Sequence, residues 1–331
     1  MGIEILVLRG GGLGDTLLSI PAVSALRQNR VPCQITWAGN LSYLLTIPLG
    51  LQVEGLRSTE GSDFALLHTE NMTGAELLAR FGRRNPFDLI VAWSSGQGTF
   101  ERNLRTLGKQ VLLASPHPPQ EDPPLHVSDH LLKTLASLDV PQGDTILRLL
   151  PSEEDFKEAS RQLKDIGING CSDHLVIHPG GGGRRKCWPL QRFVSLAREF
   201  SCELPILWIL GPAEAKILRS DLLDSLGTEA RLMIEPPLPC LAAILARSRC
   251  YVGNDSGVTH LAAGVGAPVV ALFGPTNPRI WGPRGERTLI LRRAEGCRAC
   301  AGLADPGDHT CLEALSVDEV RKAVEKQRKD S

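Results

Sequence analysis

Four short stretches of the sequence place ionisable side chains beside permissive backbone. The first is Arg9-Gly-Gly-Gly-Leu-Gly-Asp15. Glycines such as Gly12 and Gly14 let a backbone approach a ligand closely and turn free N–H groups toward an anion. Asp15, at the start of the helical pattern that follows, reads either as a carboxylate able to take a proton or as a helix N-cap. The stretch is not a dinucleotide fingerprint. Gly10, Gly12 and then Asp15 break the G-x-G-x-x-G spacing, and the next strand runs into Gly39-Asn40 where a ribose-binding acid belongs.

The second stretch is His178-Pro-Gly-Gly-Gly-Gly-Arg-Arg-Lys-Cys-Trp-Pro189. Four glycines followed by Arg184, Arg185 and Lys186, with a proline opening the next helix, suit a diphosphate; the plain alternative is a solvated basic loop. The third, Val252-Gly-Asn-Asp-Ser-Gly-Val-Thr-His260, again joins a strand to a helix. Asp255, Ser256 and Gly257 could hold polar ligand atoms there, or Ser256 could simply cap the helix, with His260 packed beside the sheet. The fourth is Cys297-x-x-Cys300 with His309 and Cys311, four candidate zinc ligands. Their spacing fits no common finger, and reduced thiols or a disulfide serve equally well. The chain has no Asp-x-Asp, the usual metal–diphosphate device, so no metal cofactor is expected.

The elements that must carry these residues alternate. An apolar run Ile3–Leu8, the glycine turn, a helical pattern Thr16–Arg27 and a second run Gln34–Ala38 open a doubly wound α/β domain. Pro21 is expected to end or kink that first helix. The middle yields strands at Phe87–Trp93 and Val111–Ala114, a proline-rich loop over Ser115–Pro124, and helices over His130–Leu138 and from Ser152 to about Ile166. A linker is expected near Gly167–Ser172. Beyond it, five strands (Leu175–His178, Ile206–Leu210, Arg231–Ile234, Cys250–Gly253, Val269–Phe273) alternate with four helices, which is a second doubly wound domain. A capping box, Ser316-x-x-Glu319, opens a last charged helix.

Composition bounds the function. The chain has 331 residues, 42% of them hydrophobic, and Lys+Arg 36 against Asp+Glu 37 leaves a formal net charge of −1. This is not the broad basic surface of a nucleic-acid coat. No run is long and apolar enough for a membrane helix, and the first residues lack a secretory pattern, so a cytoplasmic location is expected. One basic cluster stands out within residues 75–110, where Arg80, Arg83, Arg84, Arg102, Arg105 and Lys109 outnumber Glu76, Asp88 and Glu101. It is either a patch for an anionic ligand or ordinary surface.

Taken together the stretches resemble the family 9 glycosyltransferases, the ADP-heptose:lipopolysaccharide heptosyltransferases. Gly-Leu-Gly-Asp15-Thr with Pro21-Ala-Val-x-x-Leu26-Arg27 is similar to their N-terminal signature. His178-Pro-Gly with Lys186-x-Trp188-Pro189 resembles their phosphate loop. Gly253-Asn-Asp-Ser-Gly-x-x-His260-Leu-Ala-Ala and Phe273-Gly-Pro-Thr276 resemble their donor motif, and Cys297, Cys300 and Cys311 a cysteine pattern common among them. Ser256 stands where many members have Thr, and Asp305-Pro306 where relatives often have Cys-Pro.

The resemblance implies a GT-B fold, two Rossmann-like doubly wound domains facing each other across a cleft. Residues 1–168 would bind the acceptor, 169–311 the nucleotide sugar, and the helix in 312–331 would pack back on the first domain. It implies an inverting transfer from an ADP-sugar to a lipopolysaccharide core or lipid A acceptor, beside the inner face of the cytoplasmic membrane and without nucleic acid. Asp15 matches the base, Lys186 the phosphate ligand, and Asp255, Ser256, Gly257 and His260 the donor segment. Arg184 and Arg185 would assist Lys186, and Glu214 lies near an acid that contacts the ribose. The acceptor would meet Arg80, Arg83 and Arg84. Two other readings stay open: a Rossmann-type oxidoreductase or epimerase, and a sugar-nucleotide-binding protein without catalysis.

Overall fold

The computed structural model describes residues 2–28, 32–141, 143–169, 173–226, 230–293 and 311–329. The chain divides into two compact units, Met1–Thr145 and Ile146–Ser331.

The first unit runs β1 (Ile3–Arg9), α1 (Leu13–Arg27), β2 (Cys33–Gly39), α2 (Leu41–Leu44), β3 (Gly55–Ser58), α3 (Ser62–Ala65), α4 (Gly74–Arg80), β4 (Phe87–Trp93), α5 (Thr99–Leu107), β5 (Gly108–Ala114) and α6 (Val127–Thr134). Its five strands form one parallel sheet in the order β3-β2-β1-β4-β5. Alternation along the strands sorts side chains between the faces. Leu6 and Leu8 of β1 and Ile90 and Ala92 of β4 join Phe64, Leu77, Phe100 and Leu104 in a core beneath α3, α4 and α5. On the other face α1 packs on β1, β2 and α6. α1 continues through the buried Pro21, contrary to the expected break. Its missing N–H costs a single bond, offset by burial of the flanking Leu17, Leu18, Ile20 and Val23.

The second unit runs α7 (Glu153–Asp165), β6 (Leu175–His178), α8 (Leu190–Phe200), β7 (Ile206–Leu210), α9 (Pro212–Leu226), β8 (Arg231–Ile234), α10 (Leu238–Ala246), β9 (Cys250–Asn254), α11 (Gly257–Gly264), β10 (Val269–Phe273), α12 (Pro278–Trp281), β11 (Thr288–Arg292) and α13 (Val317–Lys329). All six strands are parallel, ordered β11-β10-β9-β6-β7-β8. Two expectations are corrected here. The boundary falls after Thr145, not after residue 168, because α7 packs on α10 and belongs to the second unit. The last helix also belongs there. Val320, Ala323 and Val324 enter the core formed by Trp188, Phe193, Phe200, Trp208 and Leu272, so its apolar stripe is covered by α8, β9 and β10. No described helix is long and apolar enough to cross a membrane.

Candidate active site

In each unit the chemistry-bearing residues gather where parallel strands end, the side of such sheets at which ligands bind. In the first unit β1 ends on Arg9, and the three glycines turn the chain into α1. Gly12 is the N-cap and Asp15 the third helical residue, so Asp15 is not the N-cap itself. Its carboxylate is held on both oxygens. Oδ2 accepts from the Gly12 amide at 2.9 Å, and Oδ1 accepts from Arg9 Nη2 at 2.7 Å. Arg9 also donates through Nε to Ser19 Oγ at 3.2 Å, and that hydroxyl donates to the Asp15 carbonyl at 2.7 Å. Arg9 is 4% exposed and Asp15 29%, so a buried cation aims a carboxylate that still meets solvent. Burial lowers the Arg9 pKa from its usual value, and the charge of Asp15 opposes that. The turn admits only glycine at Gly11, where φ is +107° and a Cβ would lie 2.5 Å from Asp15 Oδ2.

Asp15 and Arg9 line a cavity of about 470 Å³ with Thr59, Glu60, His68 and Ser94. Phe100, stacked on His68 with ring centroids 5.0 Å apart, forms part of its wall. The cavity opens where β1, β3, β4 and β5 end.

The expected acceptor patch is elsewhere. Arg83 pairs with Glu4 at the beginning of β1, stacks 3.8 Å from the ring of Phe87, the first residue of β4, and donates to the Asn85 carbonyl. Those are the amino ends of the strands, opposite the cavity. Arg105 pairs with Glu101 and Lys109 with Asp88, so local acids occupy these cations. Arg80, at the end of α4, and Arg84, in the turn before β4, are exposed on that same approach to β4. Arg83 and Lys109 thus fasten strand beginnings away from the Asp15 cavity.

In the second unit, adjacent β6 and β9 supply the other two stretches. Asn254, fully buried at the end of β9, donates through Nδ2 to the carbonyls of Pro179 (2.8 Å) and Gly180 (3.1 Å), and accepts on Oδ1 from the Trp188 amide at 2.9 Å. One amide side chain thereby pins both ends of the glycine loop. Lys186, in the 3-10 turn Arg184–Lys186, donates to Asp255 Oδ2 at 2.8 Å. Ser256 caps α11, its Oγ accepting from the Thr259 amide, which leaves the first amides of α11 beside Asp255. Glu214 leans over the loop from α9, where a Cβ on Gly180 would fall 2.4 Å from its Cγ and Cδ. Lys186, Asp255, Ser256, Gly257 and Glu214 are therefore brought together. Arg184 and Arg185 are exposed on the same turn, and His260 is buried within α11. Burial lowers the pKa of His178, the last residue of β6, and its Nδ1 lies 3.0 Å from the Ile209 carbonyl. Burial pushes the Cys187 thiol up to about 11, which keeps it protonated and a poor nucleophile.

Of the four proposed zinc ligands, Cys297, Cys300 and His309 lie outside the described residues. Cys311 is buried, and no metal-binding cluster occurs among the described residues.

Both halves are thus parallel α/β units with a glycine-rich strand-to-helix turn at the ligand-binding edge, the arrangement of GT-B glycosyltransferases. Residues 100–310 match the model of glycosyltransferase family 9 (heptosyltransferase), and the chain belongs to that family. It is 26% identical to lipooligosaccharide heptosyltransferase 2 of Haemophilus influenzae over 59% of this chain and 60% of that protein. It is 24% identical to lipopolysaccharide heptosyltransferase 3 of Escherichia coli over 83% and 84%. Among solved structures, a family 9 glycosyl transferase from Veillonella parvula superposes with a TM-score of 0.80 at 19% identity, over 99% of this chain and 98% of that one. The ADP-heptose lipopolysaccharide heptosyltransferase II of E. coli gives 0.73 at 18%, over 99% of each. Family membership sets aside the oxidoreductase alternative.

Sequence reasoning passed over three residues. Arg9 was legible as a lone cation closing an apolar strand. Asn254 was legible as an amide between a strand and Asp255. Glu60 sits in a stretch with no periodicity to mark it.

Proposed function

We propose that the protein transfers a heptosyl group, with inversion, from ADP-heptose to a sugar hydroxyl of a lipopolysaccharide core acceptor. The observation that carries this reading is the Asp15 carboxylate, fixed by Arg9 and the Gly12 amide at the edge of a sugar-sized cavity. Family membership and the names of the relatives support the donor and acceptor classes.

In this mechanism the first unit holds the acceptor. Its hydroxyl gives its proton to Asp15 as the oxygen attacks the anomeric carbon, and the bond from that carbon to the diphosphate oxygen breaks. The leaving ADP gains charge. Lys186 meets it by exchanging its Asp255 partner for a phosphate oxygen, helped by Arg184, Arg185 and the first amides of α11 at Ser256 and Gly257. Asp255 and Glu214 take polar atoms of the donor. Cationic side chains and amides do the work a metal would do, so no metal cofactor is required. The reaction takes place on the cytoplasmic side of the inner membrane, where a lipid-linked acceptor presents its core sugars.

The test is incubation with ADP-heptose and heptose-deficient core lipid, following the mass of the product. The wild type should add one heptose, with or without EDTA, while Asp15→Asn should lose about 10²–10⁴-fold in kcat and still bind ADP. Undiminished turnover in Asp15→Asn would remove the base from the mechanism.

A further inference from the structure

The charges around the Asp15 cavity decide which kind of sugar can enter it. Its lining carries two carboxylates, Asp15 and Glu60, and one guanidinium, Arg9. Arg9 is buried and already bonded to Asp15. Glu60 is exposed but not loosely held. Asn40 Nδ2 donates to its Oε1 at 3.1 Å, and its own amide donates to Ser58 Oγ at 3.1 Å. The nearest cation along β3, Arg57, is tied to Asp63 at 3.3 Å and to the Phe81 carbonyl. The remaining polar lining is hydroxyl and imidazole: Thr59, Ser94, Ser95, His68 and His117. The cavity thus offers acceptors and weak donors to hydroxyl groups, and the carboxylate of Glu60 to an anion.

We propose that the acceptor sugar whose hydroxyl reacts is an uncharged one, a hexose or heptose, and that Glu60 selects it. This rests on the reading of the cavity as the acceptor site. A carboxylate- or phosphate-bearing ring seated beside Asp15 meets Glu60, whose charge no lining cation offsets, since the one lining guanidinium, Arg9, is buried and already bonded to Asp15, and like charges repel even through partly aqueous surroundings. An uncharged ring instead donates its hydroxyls to Glu60 and Asp15, charge-assisted bonds about twice as strong as neutral ones. Phosphates elsewhere on a lipid acceptor remain outside the cavity.

The experiment uses the full chain, ADP-heptose and two synthetic acceptors with one aglycone. One acceptor ends in an uncharged heptopyranose, the other in a 3-deoxy-2-ulosonic acid with its carboxylate. The wild type should favour the uncharged acceptor by at least about tenfold in kcat/KM. Glu60→Gln should narrow that ratio several-fold, mainly through a lower KM for the carboxylate acceptor, and Glu60→Lys should narrow it further. Equal or preferred use of the ulosonic acid by the wild type overturns the inference while leaving the transfer reaction standing. A selectivity ratio unmoved by both Glu60 variants overturns the role of Glu60. Transfer to neither acceptor overturns the proposed reaction, and this inference with it.

Discussion

Replacing Gly11 with alanine probes whether the carboxylate of Asp15 must sit where it does. Gly11 has φ +107°, and an added Cβ would come 2.5 Å from Asp15 Oδ2, 2.7 Å from its Cγ and 2.9 Å from its Cβ. Two costs follow. A non-glycine residue in this region of backbone space is strained by about 1–3 kcal/mol. The clash can be relieved only by moving the turn or by rotating Asp15 away from the Gly12 amide, because its other oxygen is already fixed by the buried Arg9. Displacing a reacting group by about 1 Å costs on the order of 10²-fold in rate. Gly11→Ala should therefore lower kcat about 10²-fold and the melting temperature of the first unit by several degrees, with ADP affinity unchanged. Gly10→Ala is the internal control. Nothing lies within 4 Å of the Cβ it would add, and the mutant should stay within about twofold of wild type. Steady-state transfer kinetics alongside thermal melts read both effects. A Gly11→Ala enzyme that melts lower but turns over at the wild-type rate would show that the placement of Asp15 does not govern the chemistry.

Lys186→Ala should weaken ADP binding by about 10–100-fold in calorimetry, the loss expected for one charge-assisted partner of a diphosphate; unchanged affinity would return the loop to ordinary surface. Arg83→Glu should lower the melting temperature, since it sets a second acid beside Glu4 and removes the cation stacked on Phe87, while the acceptor KM stays where it was. A raised acceptor KM, strongest at low salt, would put the acceptor back on the basic cluster. His174 is fully buried just before β6, and burial lowers its pKa from 6.5 to about 4. The unfolded chain binds that proton more readily, so this contribution is complete above pH 6.5 and is lost as pH falls from 6.5 to about 4. Over that window it amounts to roughly 3 kcal/mol. A His174→Phe protein that keeps the full acid sensitivity of the wild type in denaturant titrations would count against it.

The second unit was the more readable half, for a physical reason. β6, β7, β9 and β10 are covered on both faces, so they appear as unbroken apolar runs between helices. The first unit hides half of its elements. β3 is Gly-Leu-Arg-Ser, half-buried throughout, and α2 and α3 are four residues each, too short for any periodicity. α5 could have been found, since Phe100, Leu104 and Leu107 recur at helical spacing around the buried Asn103. Motif residues were legible because glycine and charge are conspicuous near strand ends. Their mutual contacts were not. Nothing in the order of residues says that Arg9 folds back on Asp15, or that Arg83 reaches Glu4 rather than a ligand. The course of α13 was misjudged because its apolar stripe suits any core that accepts it.

The anchoring of the phosphate loop also sets an order on synthesis. Trp188, two residues beyond Lys186, donates its indole N–H to the Leu315 carbonyl at 3.0 Å, and Arg192 donates to the carbonyls of Glu313 and Leu315. Leu312, Leu315 and the stripe of α13 then close the core around that tryptophan. The first unit precedes the second in the chain and can fold while translation of the second continues. The second unit must wait longer, because its loop is clamped by Glu313 and Leu315, which follow Arg192 by 121 and 123 residues. A nascent chain can shape the Asp15 cavity early, but the Lys186 loop is seated only once Leu315 has emerged, so a partly synthesised chain acquires the cavity before the loop.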